Sequence, residues 1–255
     1  MRSHAPWIRI PYTAWVILIF LLPAIPAIPV YLLSAPLPGR LRIQWIYAYH
    51  RCWVRCWELL TGIRFEAQDR HWFDPRQPAV LVVNHCNLLD VLAVAARIPA
   101  PWKALAKREI RRVPLIGWFI AWVTIMVDRS SPESRRRSLD RMVSTMNEGF
   151  SIVIFPEGTR NRTAQPLGPF HTGAFRLAIA AQRPVQPIVM TQIRRLQPVG
   201  TLDFYPGTAR FTYLEPIPTQ GLTQQDTQRL LEQVRARMEA ALIRLDPEFQ
   251  PLAAS

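Results

Sequence analysis

Residues 10–39 carry no charged side chain, and the apolar run AWVILIFLLPAIPAIPVYLL lies inside that stretch. A bilayer core is crossed by roughly 20 apolar residues, so this segment is long enough to enter a membrane. Pro23, Pro26 and Pro29 interrupt it at three-residue spacing. Each removes a backbone donor and disfavours a straight helix. Three arrangements fit: a kinked single span, a cleaved signal peptide, and a re-entrant hairpin turning at the prolines. Arg2 and Arg9 precede the stretch, and Arg40 and Arg42 follow it. Cationic residues prefer the cytoplasmic side, so arginines on both flanks favour the hairpin.

The following residues, 41–60, read as an amphipathic helix. Trp45, Tyr49, Cys52, Trp53, Cys56, Trp57 and Leu60 recur at helical spacing, with Arg42, Arg51 and Arg55 supplying charge. One face of such a helix packs on a domain while another lies against anionic headgroups.

The whole chain has 31 Lys+Arg against 18 Asp+Glu, a formal charge of +13. That excess favours an anionic partner, either nucleic acid or lipid. The nine tryptophans, several beside arginine near the N-terminus, point to lipid. No nucleic-acid module is recognisable. Cys52, Cys56 and Cys86 form neither a metal knuckle nor a disulfide framework. No metal site and no cofactor are expected. Free thiols suit a reducing compartment and argue against a signal peptide.

From about residue 65 short β-branched runs alternate with helical ones, which argues for an α/β domain. Strands are expected at 79–83, 103–106, 124–127, 151–155, 185–190 and 209–214, and helices at 90–97, 132–148, 172–181 and 223–245. Ser131 caps the helix that Pro132 opens, and Gly149 stops it. The expected division is a membrane-associated hairpin and amphipathic helix at 1–62, then an α/β domain at 63–255. Its architecture is a mixed central sheet flanked by helices.

Two of the strands end in polar clusters. Asn84-His85-Cys86-Asn87-Leu88-Leu89-Asp90 follows the first, and Phe155-Pro156-Glu157-Gly158-Thr159-Arg160 follows the fourth. Strand ends are where α/β proteins keep their chemistry. Imidazole is the natural base near neutral pH, and a carboxylate five residues on can fix its tautomer. The pair alone is a weak signal, because a lone histidine is more often structural. Gly158 permits a tight turn or close approach to a ligand. Arg160 can fork onto a phosphate, although a Pro-Glu-Gly turn with a surface arginine is also a common structural element. A third cluster, Lys107-Arg108-Glu109 through Val127-Asp128-Arg129, puts further cations at strand ends.

Taken in order, these blocks resemble the 1-acyl-sn-glycerol-3-phosphate (lysophosphatidic acid) acyltransferase family of glycerolipid acyltransferases. The resemblance rests on Asn84-His85 with Asp90, Lys107-x-Glu109 with Pro114-x-x-Gly117, and Val127-Asp128-Arg129. It continues through Phe155 to Arg160, Pro169-Phe170 with Gly173-Ala174, and Pro184-Val185-x-Pro187-Ile188. It covers roughly residues 65–222.

The resemblance implies acyl transfer from a thioester on coenzyme A or acyl carrier protein to the free hydroxyl of an anionic lysophospholipid. His85 would be the general base and Asp90 its orienter. Arg129, Arg160 and Lys107 would hold the acceptor phosphate, with Glu157, Gly158 and Thr159 shaping its pocket. No covalent acyl-enzyme is required, although Cys86 adjoins the base. It further implies a site at the cytoplasmic face of the inner membrane. The chain departs from the family pattern at His171, where a lysine is usual, at Asn87, where Ser or Thr is usual, and around 122–125, where a glycine is absent. The acceptor therefore stays open between 1-acylglycerol-3-phosphate and another lysolipid, such as a lyso-ornithine lipid. A non-catalytic lipid-binding protein is the alternative of a different class.

Overall fold

The structure is a computed structural model, and it describes residues 6–107, 123–127 and 131–249. The apolar N-terminal stretch forms helices α1 (Pro6–Leu21) and α2 (Ala24–Ser34). Pro23 keeps right-handed helical angles (φ −71°, ψ −6°), and the Leu22 N–H still reaches the Leu18 carbonyl at 3.0 Å. The chain therefore does not reverse at the prolines, and the reversal into α3 (Gly39–Thr61) comes after Ser34.

Helix α1 runs antiparallel to α3. Tyr12 donates to the Thr61 carbonyl at 2.7 Å, Trp57 donates to the Val16 carbonyl at 3.2 Å, and Phe20 packs on Trp53. Helix α3 stops at Gly62, whose φ of +72° is the left-handed geometry glycine adopts without strain. The run Trp7–Ser34 is long and apolar enough to cross a membrane. Its outer side exposes Trp7, Ile10, Leu18, Leu21, Ile25, Leu32 and Leu33.

The rest of the chain alternates as the hydrophobic pattern requires. Strand β1 (Ile63–Gln68) leads to β2 (Val80–Val83), helix α4 (Leu89–Arg97), β3 (Trp102–Lys107) and β4 (Thr124–Val127). Helix α5 (Pro132–Asn147) precedes β5 (Ser151–Ile154), α6 (Gly173–Ala181), β6 (Val185–Thr191) and the single turn α7 (Ile193–Leu196). Strand β7 (Gly207–Tyr213) and helix α8 (Thr227–Leu245) complete the order. The strands form one seven-stranded sheet, β1-β7-β6-β2-β5-β3-β4. Every neighbouring pair is parallel except β6 and β7. This is the mixed sheet flanked by helices that the sequence led us to expect.

The central strands are buried along their whole length, as strands covered on both faces must be. Successive side chains point to opposite faces. Leu81 and Val83 join one core with Val16, Ile46 and Trp57 of α1 and α3. Val80 and Val82 join the other with Met146 of α5, Phe175 of α6 and Val234 of α8.

Three local expectations are refined. Strand β1 was not anticipated; among the described residues it pairs only with β7, at the sheet edge, and its burial alternates over just its first four residues. Thr223 does not open α8. It caps a 3-10 turn, Gln224–Asp226, in which Thr223 and Asp226 cap each other reciprocally, and α8 starts at Thr227. Helix α6 begins at Gly173, with Thr172 at its N-cap position. The Ser131 cap is present, its hydroxyl accepting the Ser134 N–H at 3.0 Å.

Candidate active site

Strands β2 and β5 are adjacent and parallel, with Val82 opposite Ile154. Their C-terminal ends therefore deliver the His85 turn and the Glu157 turn to the same rim of the sheet. Strands β3 and β4 run the same way, so the backbones of Lys107 and Val127 end those strands at that rim too.

The turn after β2 closes on Asp90, which lies in the first turn of α4 and is fully buried. Its Oδ2 accepts from His85 Nδ1 at 2.7 Å, from the Cys86 N–H at 2.5 Å and from the Asn87 N–H at 2.9 Å. Three donors converge on one oxygen at the start of a helix, so the side chain is held in a single orientation. Its Oδ1 is buried with no hydrogen-bond partner among the described residues. A carboxylate at Nδ1 fixes the imidazole tautomer with the proton on Nδ1, which leaves the Nε2 lone pair free. The ring stacks on Phe155 at 4.2 Å between centroids and keeps 18% of its side chain exposed, open to a substrate.

The second turn is built around Glu157, which is buried. One of its oxygens accepts the His85 N–H at 2.9 Å, and the other accepts the Gly168 N–H at 2.7 Å. Burial pushes its carboxyl above the usual range, while the two backbone donors pull it back down. The Asn161 N–H donates to the His85 carbonyl at 2.7 Å, tying the two turns a second time. Gly158 has φ +69°, and a Cβ there would sit 2.9 Å from the His171 ring. Thr159 and Arg160 are exposed on the same turn.

The arrangement thus presents a base with an oriented lone pair, a rigid turn beside it and an exposed guanidinium at one rim. It is equipped to take a proton from a substrate hydroxyl next to an anionic group.

A family model described as Acyltransferase matches residues 64–191, half of the chain, and it spans both turns. The chain belongs to this family. Among its relatives is an uncharacterized acyltransferase of Schizosaccharomyces pombe, 36% identical over 190 residues, covering 73% of this chain and 68% of that one. The human 1-acyl-sn-glycerol-3-phosphate acyltransferase alpha is 35% identical over 182 residues, covering 70% of this chain; the match spans 64% of the human protein's length. The crystal structure of the 1-acyl-sn-glycerophosphate (LPA) acyltransferase from Thermotoga maritima has the same fold. It superposes with a TM-score of 0.78 at 18% identity, over 93% of this chain and 95% of that one. Membership makes this chain an O-acyltransferase.

Of the residues singled out in the acyltransferase sequence, His85, Asp90, Glu157 and Gly158 meet in one network, and Thr159 and Arg160 stand on its edge. The backbone of Lys107 closes β3 at the same rim, while its side chain lies outside the described residues. Arg129 lies outside them as well, with residues 108–122.

Other contributors were not legible beforehand. Asn84 clamps β2 to β6, its amide donating to the Met190 carbonyl at 3.1 Å and its oxygen accepting the Met190 N–H at 2.7 Å. The Asn87 amide donates to the carbonyls of Ile193 and Gln197 at 3.2 and 2.9 Å. Buried Arg194 donates to the Thr163 carbonyl at 2.9 Å and holds the loop beyond Arg160. Two asparagines flanking a strand-end histidine were the available signal, but their partners lie about a hundred residues away.

Proposed function

We propose that this acyltransferase moves an acyl group from a thioester on coenzyme A or acyl carrier protein to the free hydroxyl of 1-acylglycerol-3-phosphate, forming phosphatidic acid. The observation that carries the reading is the 2.7 Å contact from His85 Nδ1 to the buried Asp90 carboxylate, with 18% of the His85 side chain exposed. The printed names of the relatives support the acceptor.

In this reading His85 Nε2 takes the hydroxyl proton as the acceptor oxygen bonds to the thioester carbonyl carbon. The carbon–sulfur bond then breaks, and the proton passes from the imidazolium to the departing thiolate. A thioester is already activated, so the base on the alcohol is the main chemical help, contributing on the order of 10²–10⁴-fold. Holding the two substrates together contributes much of the rest. The acceptor phosphate falls to Arg160, Lys107 and Arg129. Glu157 and Gly158 fix the turn that presents Arg160, and Thr159 lines its approach.

Residues 1–62 are the membrane-associated part and 63–255 the catalytic domain. Helices α1 and α2 lie with α3 as a hairpin in one leaflet, at the cytoplasmic face of the inner membrane. The uncovered apolar side of the run from Trp7 to Ser34 supports membrane entry.

The test is release of free thiol by purified protein given lysophosphatidic acid and either acyl-CoA or acyl carrier protein thioester. A panel of other lysolipids is assayed in parallel. Acceptor-dependent release that His85→Ala abolishes is the expected outcome. Release unaffected by His85→Ala, or by omission of the acceptor, would refute the reading.

A further inference from the structure

At the sheet rim opposite His85, a groove of about 710 Å³ opens between α2, α3 and residues 99–101. Those residues enter β3, whose first residue Trp102 pairs with Ser151 at the start of β5. His85 and Glu157 follow the other ends of these parallel strands, so the groove is separate from the catalytic rim. Its walls are mainly apolar, from Val30, Trp45, Ala48, Pro99 and Pro101, and among the described residues Arg51 is the one charged side chain lining it.

Arg51 is partly buried. None of the ion pairs among the described residues involves it. Its charged neighbour is Arg55, of the same sign. A cation held against apolar walls without a carboxylate is costly unless an anion meets it, and a guanidinium is well shaped to fork onto phosphate. Trp45, which lines the groove, is 56% exposed, and Val30, its lining residue from α2, belongs to a helix whose Leu32 and Leu33 are exposed and apolar. The occupant must then be apolar along most of its length, anionic at one point and reachable from the bilayer.

We propose that the groove holds one anionic diacyl phospholipid, an acyl chain against Val30, Trp45 and Ala48 and its phosphate on Arg51. This lipid is bound and not turned over. It fastens α2 and α3 to the domain and anchors the protein where anionic lipid is abundant. The proposal stands whether or not the acceptor assigned above is correct.

Native mass spectrometry of the full chain, released from non-ionic detergent, tests it with phosphatidylglycerol, phosphatidylcholine and inorganic phosphate as probes. The expected result is one retained phosphatidylglycerol per chain, at least tenfold less phosphatidylcholine, and no displacement by phosphate. Arg51→Gln and Ala48→Trp each lower retention at least tenfold, while His85→Ala retains the lipid as the unmodified protein does. Thermal unfolding checks that the variants are folded; should Ala48→Trp fail to fold, Arg51→Gln alone decides. Equal retention of phosphatidylcholine, displacement by phosphate, undiminished retention in folded Arg51→Gln, or loss in His85→Ala would each overturn the proposal.

Discussion

Glu157 accepts the backbone N–H of His85 at 2.9 Å, across 72 residues of sequence. Its second oxygen takes the Gly168 N–H. One buried carboxylate therefore sets the position of the histidine main chain, as Asp90 sets that of its ring. The histidine and the Glu157 turn are thus tied together as one unit.

Replacing Glu157 with Gln puts an NH₂ against one of two backbone donors. The expected cost is about 1–3 kcal/mol, as for a buried hydrogen bond lost to a charged acceptor, measured by urea unfolding, with a fall in kcat. Because burial holds this carboxyl above its usual range, the folded protein takes up the proton at higher pH than the unfolded chain. The associated stability is full below the ordinary carboxylate pKa and is lost as pH rises through the raised value. The advantage of the unmodified protein over Glu157→Gln should therefore shrink as pH increases across that window. An advantage that grows with pH there would contradict the assignment.

His85→Ala and Asp90→Ala should each lower thiol release on the order of 10²–10⁴-fold. If Asp90 acts only through the ring, the double variant is no slower than His85→Ala, since residues working as a unit are not additive. Full additivity in kcat would assign Asp90 a separate role.

Gly158→Ala combines a left-handed backbone with a contact 2.9 Å from the His171 ring. The backbone term alone costs roughly 1–2 kcal/mol. Adding His171→Ala removes the ring and should restore part of the lost stability, leaving the backbone term. Thermal unfolding of the single and double variants reads this directly; no recovery would mean that the ring is not what the methyl group meets.

Burial pushes the Cys86 thiol up to about 12, with the Asp90 charge acting in the same direction. Between pH 6 and 9 it stays neutral, and only the thiolate is a strong nucleophile. Iodoacetamide followed by peptide mass spectrometry should therefore modify exposed Cys52 and Cys56 and spare buried Cys86. Cys86→Ala should retain acyl transfer; its loss, with the fold intact, would revive a covalent intermediate.

Much of this architecture could be read from local pattern. The strand at Thr124–Val127 and the Ser131-capped helix fall where β-branched runs and capping residues placed them. Edge strand β1 is not legible locally because its inside–outside alternation fades after four residues and it depends on β7, which lies far along the chain. Local sequence leaves the N-terminal prolines open between a kinked span, a signal peptide and a hairpin turn. They stay helical because Tyr49 donates to the Pro23 carbonyl and the flanking side chains pack on α3. Such support from a neighbouring helix is invisible in a local window.

Residue order alone set a histidine and a carboxylate five residues apart, an interval that lets one turn bring ring and carboxylate together. It also determined the polarity of the molecule, with thirty uncharged residues near one end and a basic excess elsewhere. Tertiary structure decided what those groups face. Asn84 meets Met190 across 106 residues, and Glu157 meets His85, because β2 sits between β5 and β6 in the sheet. Strand order is a property of the whole packed core. Side chains far apart in the chain become neighbours only when both faces of that sheet are covered, so no local stretch of sequence specifies their meeting.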